Sequence, residues 1–147
     1  MPVMPDLVYK LAQSDDELKG ALAVRREVFI REQKVPQDEE YDEYDKTALH
    51  LVVKDSKRII ATARLVLISP GEARIGRMCI LKPYRRQGIG QKMLDTLIDE
   101  ARRHGIKEVM LHAQWAAIPF YRAYGFEASG QPFREAGIKH IKMEKRL

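Results

Sequence analysis

The sequence predicts an α/β fold in which one mixed sheet carries helices on its faces. Three observations lead there. Apolar residues recur at helical spacing in two separated segments, from Leu18 to Phe29 and from Ile89 to Ala101. Between and after them, β-rich runs alternate with turn signals. The longer helix begins directly behind a glycine-bearing turn that follows a strand, which calls for a parallel strand-helix-strand crossover over residues 73–113.

Leu7–Leu11 reads as the first strand. Ser14-Asp15-Asp16-Glu17 matches a capping box, in which a hydroxyl and a carboxylate satisfy reciprocal backbone donors. Leu18, Ala21, Leu22, Val28 and Phe29 share one face of the helix behind it, which should fade near Gln33, before Pro36. Ala48–Lys54 and Arg58–Ile68 form a hairpin around Asp55-Ser56-Lys57, and Ser69-Pro70-Gly71 turns the chain into a central strand over Ala73–Leu81. Gly88–His104 is an amphipathic helix stopped by Gly105, and Lys107–Ala113 is the next strand. Ala116–Tyr124 is a short helix that tolerates Pro119 in its first turn and stops at Gly125. Two last strands flank Glu135-Ala136-Gly137.

At 147 residues the chain is expected to be a single domain spanning 1–147. One cysteine, Cys79, excludes an internal disulfide and a cysteine-rich metal site. No run approaches the roughly 20 apolar residues of a membrane span. The start, Met1 to Asp6, lacks the basic flank and apolar run of a signal peptide, so a cytoplasmic protein is the default. Net charge is +5, yet residues 38–45 hold six of the 21 acids and no base. Without them 26 bases face 15 acids, a balance of +11, so a basic body carries one acidic loop. Such a body attracts phosphorylated ligands or nucleic acid.

The chemistry concentrates in Arg85-Arg86-Gln87-Gly88-Ile89-Gly90, between the central strand and the longest helix. Glycines let backbone bend closely around a ligand. Unpartnered amides and the helix dipole favour an anion there, and Lys82, Arg85, Arg86 and Lys92 add charge. The turn lacks the Gly-Lys-Ser/Thr of a nucleotide-hydrolysing loop, and Met93 stands where a dinucleotide fingerprint has its third glycine. Spacing alone fits a plain tight turn equally well.

The turn resembles the coenzyme A pyrophosphate loop, Arg/Gln-x-x-Gly-x-Gly/Ala, of the GNAT N-acetyltransferase superfamily. Ala117 to Phe126 is similar to that superfamily's second motif, Ala-x-x-Phe/Leu-Tyr-x-x-x-Gly-Phe. Arg25 to Gln33, the acidic loop after Pro36, His50, Ala113-Gln114 and Ala136 to His140 resemble the ElaA/YjcF branch, so the likeness covers nearly the whole chain. Gln114 replaces the superfamily's common asparagine, and Lys139 stands where the branch has proline.

The resemblance implies a mostly antiparallel mixed sheet whose parallel pair splays at the cofactor. It implies an acetyl-coenzyme A-dependent N-acetyltransferase without a metal, acting on a primary amine by direct attack on the thioester. Backbone around Met78, Cys79 and Ile80 would pair with the pantetheine arm. Arg85 and the amides of Arg86, Gln87, Gly88, Ile89 and Gly90 would hold the pyrophosphate, with Gln114 and Phe120 also against the cofactor. Tyr121 aligns with the general-acid tyrosine.

A phenol of pKa about 10 gives its proton to a thiolate of about 8.5 at a cost of roughly 2 kcal/mol, so Tyr121 is expected to act in part as a hydrogen-bond donor. Its alternative is an aromatic that packs under the sheet. No general base is assigned: His50, His112, His140 and Glu32 are all candidates, each of a type more often packed or exposed for other reasons. Cys79 lies in an apolar strand, which disfavours an acyl-enzyme. The acidic loop either steers a cationic amine or is merely solvated, and Arg25 and Phe29, four apart on one helix, are read as packing. The competing functions are an acyl-coenzyme A sensor without turnover and a nucleic-acid binder, the latter lacking any recognised motif. The expected partner is a small-molecule or peptide amine, with neither nucleic acid nor membrane; a homodimer stays open.

Overall fold

The computed structural model describes residues 6–147; the segment 1–5, most of the stretch read above for a leader signal, lies outside the described residues. The chain runs β1 (Leu7–Leu11), α1 (Asp15–Arg25), α2 (Gln37–Glu40), β2 (Leu49–Asp55), β3 (Arg58–Ser69), β4 (Glu72–Ile80), α3 (Ile89–Arg103), β5 (Glu108–Gln114), α4 (Ile118–Tyr124), β6 (Glu127–Glu135) and β7 (Ile138–Arg146). The seven strands form one sheet in the order β1-β2-β3-β4-β5-β7-β6. Every neighbouring pair is antiparallel except β4 and β5.

The first helix differs from expectation. Ser14 accepts from the Glu17 amide at 3.1 Å, but the Glu17 carboxylate reaches the Gln13 amide at 2.9 Å rather than that of Ser14. The helix is α-helical only to Arg25, then widens into a π-type turn over Arg26–Glu32, where the Gln33 amide donates to the Val28 carbonyl. Such widenings recur at functional sites. Here it carries Val28 and Phe29 down onto Cys79, forming a small cluster with Val24 and Val35.

The main core lies on the other face of the sheet. α3 buries Met93, Leu94, Leu97, Ile98 and Ala101 against Leu51, Val53, Ala63, Ile75, Val109 and Leu111, as its period dictates. Each large aliphatic side chain contributes about 1.5–3 kcal/mol, and Leu97→Ala would cost about 2–5 kcal/mol. With the apolar side chains of β5 (Val109, Leu111, Ala113) committed to this core, strand alternation turns Met110, His112 and Gln114 to the opposite, polar face.

Candidate active site

The parallel pairing of β4 and β5 covers only four residue pairs, Glu72↔Glu108 to Ile75↔Leu111. Beyond them β4 continues to Ile80 beside β3, and β5 continues to Gln114 beside β7. The sheet therefore opens, and a cavity of about 930 Å³ lies at the opening, lined from both strands. A bulge drives the divergence: Gly76 faces Arg64 while Cys79 faces Thr62, so β4 carries one extra residue. Arg77 takes up the bend with φ 52°, and its guanidinium is tied to the Glu40 carbonyl at 3.0 Å and to Asp42 at 3.1 Å.

At one end of the cavity stands the glycine turn. Gly88, at φ 80°, caps α3 without any side-chain hydrogen bond. Among the described residues, no backbone or side-chain acceptor meets the amides of residues 86–91. Arg86, Gly88, Ile89, Gly90 and Gln91 line the cavity. A Cβ on Gly90 would lie 3.0 Å from the Phe120 ring and 3.4 Å from the Met78 methyl, so this glycine lets α4 and β4 close on the helix start. The arrangement is a nest of donors suited to a diphosphate.

Facing it, Tyr121 on α4 packs edge-on against Phe120 and Phe126, and its hydroxyl donates to Met78 Sδ at 3.6 Å. Burial, with a smaller contribution from Cys79, pushes this phenol up to about 12. Cys79 is 6% exposed, and burial drives its thiol well above the ordinary range.

On the polar face, Gln33 and Gln114 exchange amide hydrogen bonds of 2.9 and 3.4 Å across the opening. On the same face, His112 Nδ1 stands 3.3 Å from Glu135 Oε2, and His140 Nε2 stands 3.8 Å from the same oxygen. Contact with His112 holds the Glu135 carboxyl below its usual range. His140 donates from Nδ1 to the Ile138 carbonyl at 2.7 Å and stacks on Phe133. All three groups line the cavity.

The acidic loop is neither a free cation funnel nor simply solvated. Glu40 and Asp45 engage the buried Arg25 at 2.7 Å each, and Asp42 and Asp45 engage Arg64 at 2.6 and 2.8 Å. With Arg77 added, three acids meet three arginines under the sheet. Arg25, read from its spacing as core packing, is the centre of this ion-pair network at 1% exposure.

Met78, Cys79, Ile80, Arg85, Arg86, Gly88, Ile89, Gly90, Gln114, Phe120 and Tyr121 all line the one cavity. Gln87 does not: its side chain turns back to the Pro83 carbonyl at 3.3 Å, leaving only its backbone at the turn. The Arg85 guanidinium grips Glu32 at 2.8 and 3.0 Å and the Ile80 carbonyl at 2.8 Å, so its charge is already matched and Glu32 is occupied. His50 lies away from the cavity, bonded to the Asp45 carbonyl at 2.9 Å. Lys139 places its ammonium 3.9 Å above the Trp115 ring, clamping the start of β7 to the turn after β5.

Sequence reading missed Glu135, taken only as part of a turn, and missed Gln33 as the partner of Gln114. The signal for Glu135 was present. A two-residue turn at Ala136-Gly137, both with positive φ, sets Phe133 opposite His140 and so puts Glu135 on the face that His112 and His140 share.

A family model for the GNAT acetyltransferase domain matches residues 10–147. The uncharacterized N-acetyltransferase YjcF of Bacillus subtilis (strain 168) is 36% identical over 136 residues, covering 92% of this chain and 96% of the relative. An acyl-CoA N-acyltransferase structure from Pseudomonas aeruginosa superposes with a TM-score of 0.83 at 31% identity, over 95% of this chain and 98% of that one. Escherichia coli ElaA gives the same TM-score of 0.83 at 26% identity, over 95% and 99% of the two chains. These matches span nearly the whole seven-stranded chain, its opened parallel pair included; the chain belongs to the GNAT acetyltransferase family, in its ElaA/YjcF-like branch.

Proposed function

We propose that the protein transfers an acetyl group from acetyl-coenzyme A to a primary amine by direct attack on the thioester. The observation that carries this reading is the run of unpartnered amides at residues 86–91, set at the head of an opening between two strands. A pyrophosphate satisfies those donors, and the amide-bearing pantetheine arm can run along the unpaired edge of β4 at Met78, Cys79 and Ile80 as an added strand would. That course brings the thioester to Tyr121. Phe120, on the cavity wall and 37% exposed, offers an apolar surface beside the arm.

The amine nitrogen attacks the carbonyl carbon, the C–N bond forms, the C–S bond breaks, and the nitrogen sheds a proton. Burial raises the Tyr121 phenol, which disfavours full proton transfer from it to the thiolate. Tyr121 serves by donating a hydrogen bond to the sulfur as charge develops there. A buried, protonated Cys79 has no part as a nucleophile, which supports attack without an acyl-enzyme.

The test is thiol release from acetyl-coenzyme A in the presence of a panel of primary amines and polyamines, beside direct measurement of acetyl-coenzyme A binding. Amine-dependent thiol release is expected. Tight binding with no release for any amine would make the protein a sensor, and failure to bind would remove the reading.

A further inference from the structure

We infer that His112 is the base that takes the proton from the incoming amine, with Glu135 as its positioning residue. The inference rests on the acyltransferase reading above and deepens it. Proton removal is needed because an alkylamine is an ammonium at neutral pH, with a pKa near 10.4 if lysine-like, and an ammonium has no lone pair with which to attack.

Three features single out this pair. Glu135 is held ionised, so its carboxylate accepts, and the proton of the neutral His112 ring must sit on Nδ1, 3.3 Å away. That leaves the Nε2 lone pair without any protein partner among the described residues, on a ring that lines the cavity. Third, the pair is braced: Phe133 meets the His112 ring edge-on at 5.0 Å and stacks on His140, whose Nδ1 is committed to the Ile138 carbonyl. A carboxylate fixing one imidazole nitrogen so that the other can receive a proton is the logic of hydrolase triads, built here on β5, β6 and β7. The other candidate groups are spoken for, Glu32 by Arg85 and His50 by the Asp45 carbonyl.

In the step, the ammonium gives one proton to His112 Nε2 and the freed nitrogen attacks the thioester carbon; the C–N bond forms as the C–S bond breaks, the nitrogen's second surplus proton leaves with the thiolate as coenzyme A thiol, and the imidazolium, stabilised by Glu135, returns its proton to solvent. Charged and titratable groups around the pair are His140 and Lys142 on β7, Arg77 on β4 and Glu135 itself on β6.

The experiment compares, at mildly alkaline pH, the best alkylamine of the panel with its β,β-difluoro analogue, a weaker base of nearly the same shape that is mostly neutral where the alkylamine is still an ammonium. For His112→Gln, kcat with the alkylamine should fall at least about a hundredfold, and with the analogue less than about tenfold. Acetyl-coenzyme A affinity should hold, which reports an intact fold. For Glu135→Gln, the ring loses the carboxylate that fixes its tautomer, so kcat with the alkylamine should fall at least about tenfold while kcat with the analogue and acetyl-coenzyme A affinity change little, and Glu135→Asp should restore part of the loss. Equal losses for both amines in His112→Gln, or in Glu135→Gln, would overturn the assignment while leaving acyl transfer standing. A wild-type protein that binds acetyl-coenzyme A but acylates neither amine would remove both.

Discussion

The Tyr121 hydroxyl donates to the Met78 sulfur across 3.6 Å, joining α4 to the unpaired stretch of β4. A thioether is a weak acceptor, so the hydroxyl is held in place without being spent. A stronger acceptor arriving in the cavity can claim it. Tyr121→Phe is therefore expected to lower kcat by about ten- to a thousandfold while leaving acetyl-coenzyme A affinity within about threefold. Steady-state thiol release and equilibrium binding check both halves.

Gly90 gives the second prediction. Any Cβ there meets Phe120 at 3.0 Å, and a branched side chain also fills the space in front of the helix amides. Gly90→Val should weaken acetyl-coenzyme A binding at least about tenfold, with a smaller loss of thermal stability, since the lost term is close approach to the ligand. Isothermal titration beside thermal melting separates the two.

Arg25 is expected to be a stability residue. Removing it leaves Glu40, 2% exposed, and Asp45 without their shared cation. Arg25→Met should cost about 3–5 kcal/mol in urea unfolding, whereas changing Arg25 and Glu40 together to apolar residues should recover part of that loss.

The same network sets an acid limit. Burial opposes ionisation of Asp45, but Arg25 and Arg64 outweigh it and hold its carboxyl at about 2; Asp42 is lowered in the same way by Arg64. A carboxyl depressed in the folded state contributes stability that is complete above its unfolded pKa, near 3.9, and is lost as pH falls through the folded value. Denaturant midpoints should be flat above pH ~5 and fall between pH ~4 and ~2. Asp45→Asn should flatten that fall.

Cys79 should be inert. Buried beneath Val28 and Phe29, with its thiol kept protonated, it is expected to react with a disulfide reagent in the native state at least about a hundredfold more slowly than after unfolding. Cys79→Ala should retain thiol release, and its loss would revive an acyl-enzyme.

Much of the fold was legible because its signals are local. The period of Ile89 to Ala101, the turns at Pro70-Gly71 and Ala136-Gly137, and the glycines of the 85–90 turn each declare themselves within a few residues. What stayed hidden depends on residues far apart in sequence. The π-type turn after Arg25 serves packing on Cys79, some fifty positions on, and the bulge at Arg77 is defined only by the register of β3 against β4. The acidic loop looked like a surface feature because the buried arginines it neutralises come from α1, β3 and β4. Glu135 and His112 are 23 positions apart and meet only once β7 is inserted between their strands.

The four-pair contact between β4 and β5 also makes the molecule two leaves joined along a short seam. On the polar face the amide clasp of Gln33 and Gln114 spans the gap, beside the contact of Ala136 and Ile138 with the Cys79 cluster, while past Ile75 and Leu111 the two strands no longer hydrogen-bond to each other. A ligand threaded there would act as mortar between the leaves. Deuterium uptake at residues 76–80 and 112–114 should then fall sharply when the gap is filled, giving the empty and loaded protein different lifetimes against proteolysis.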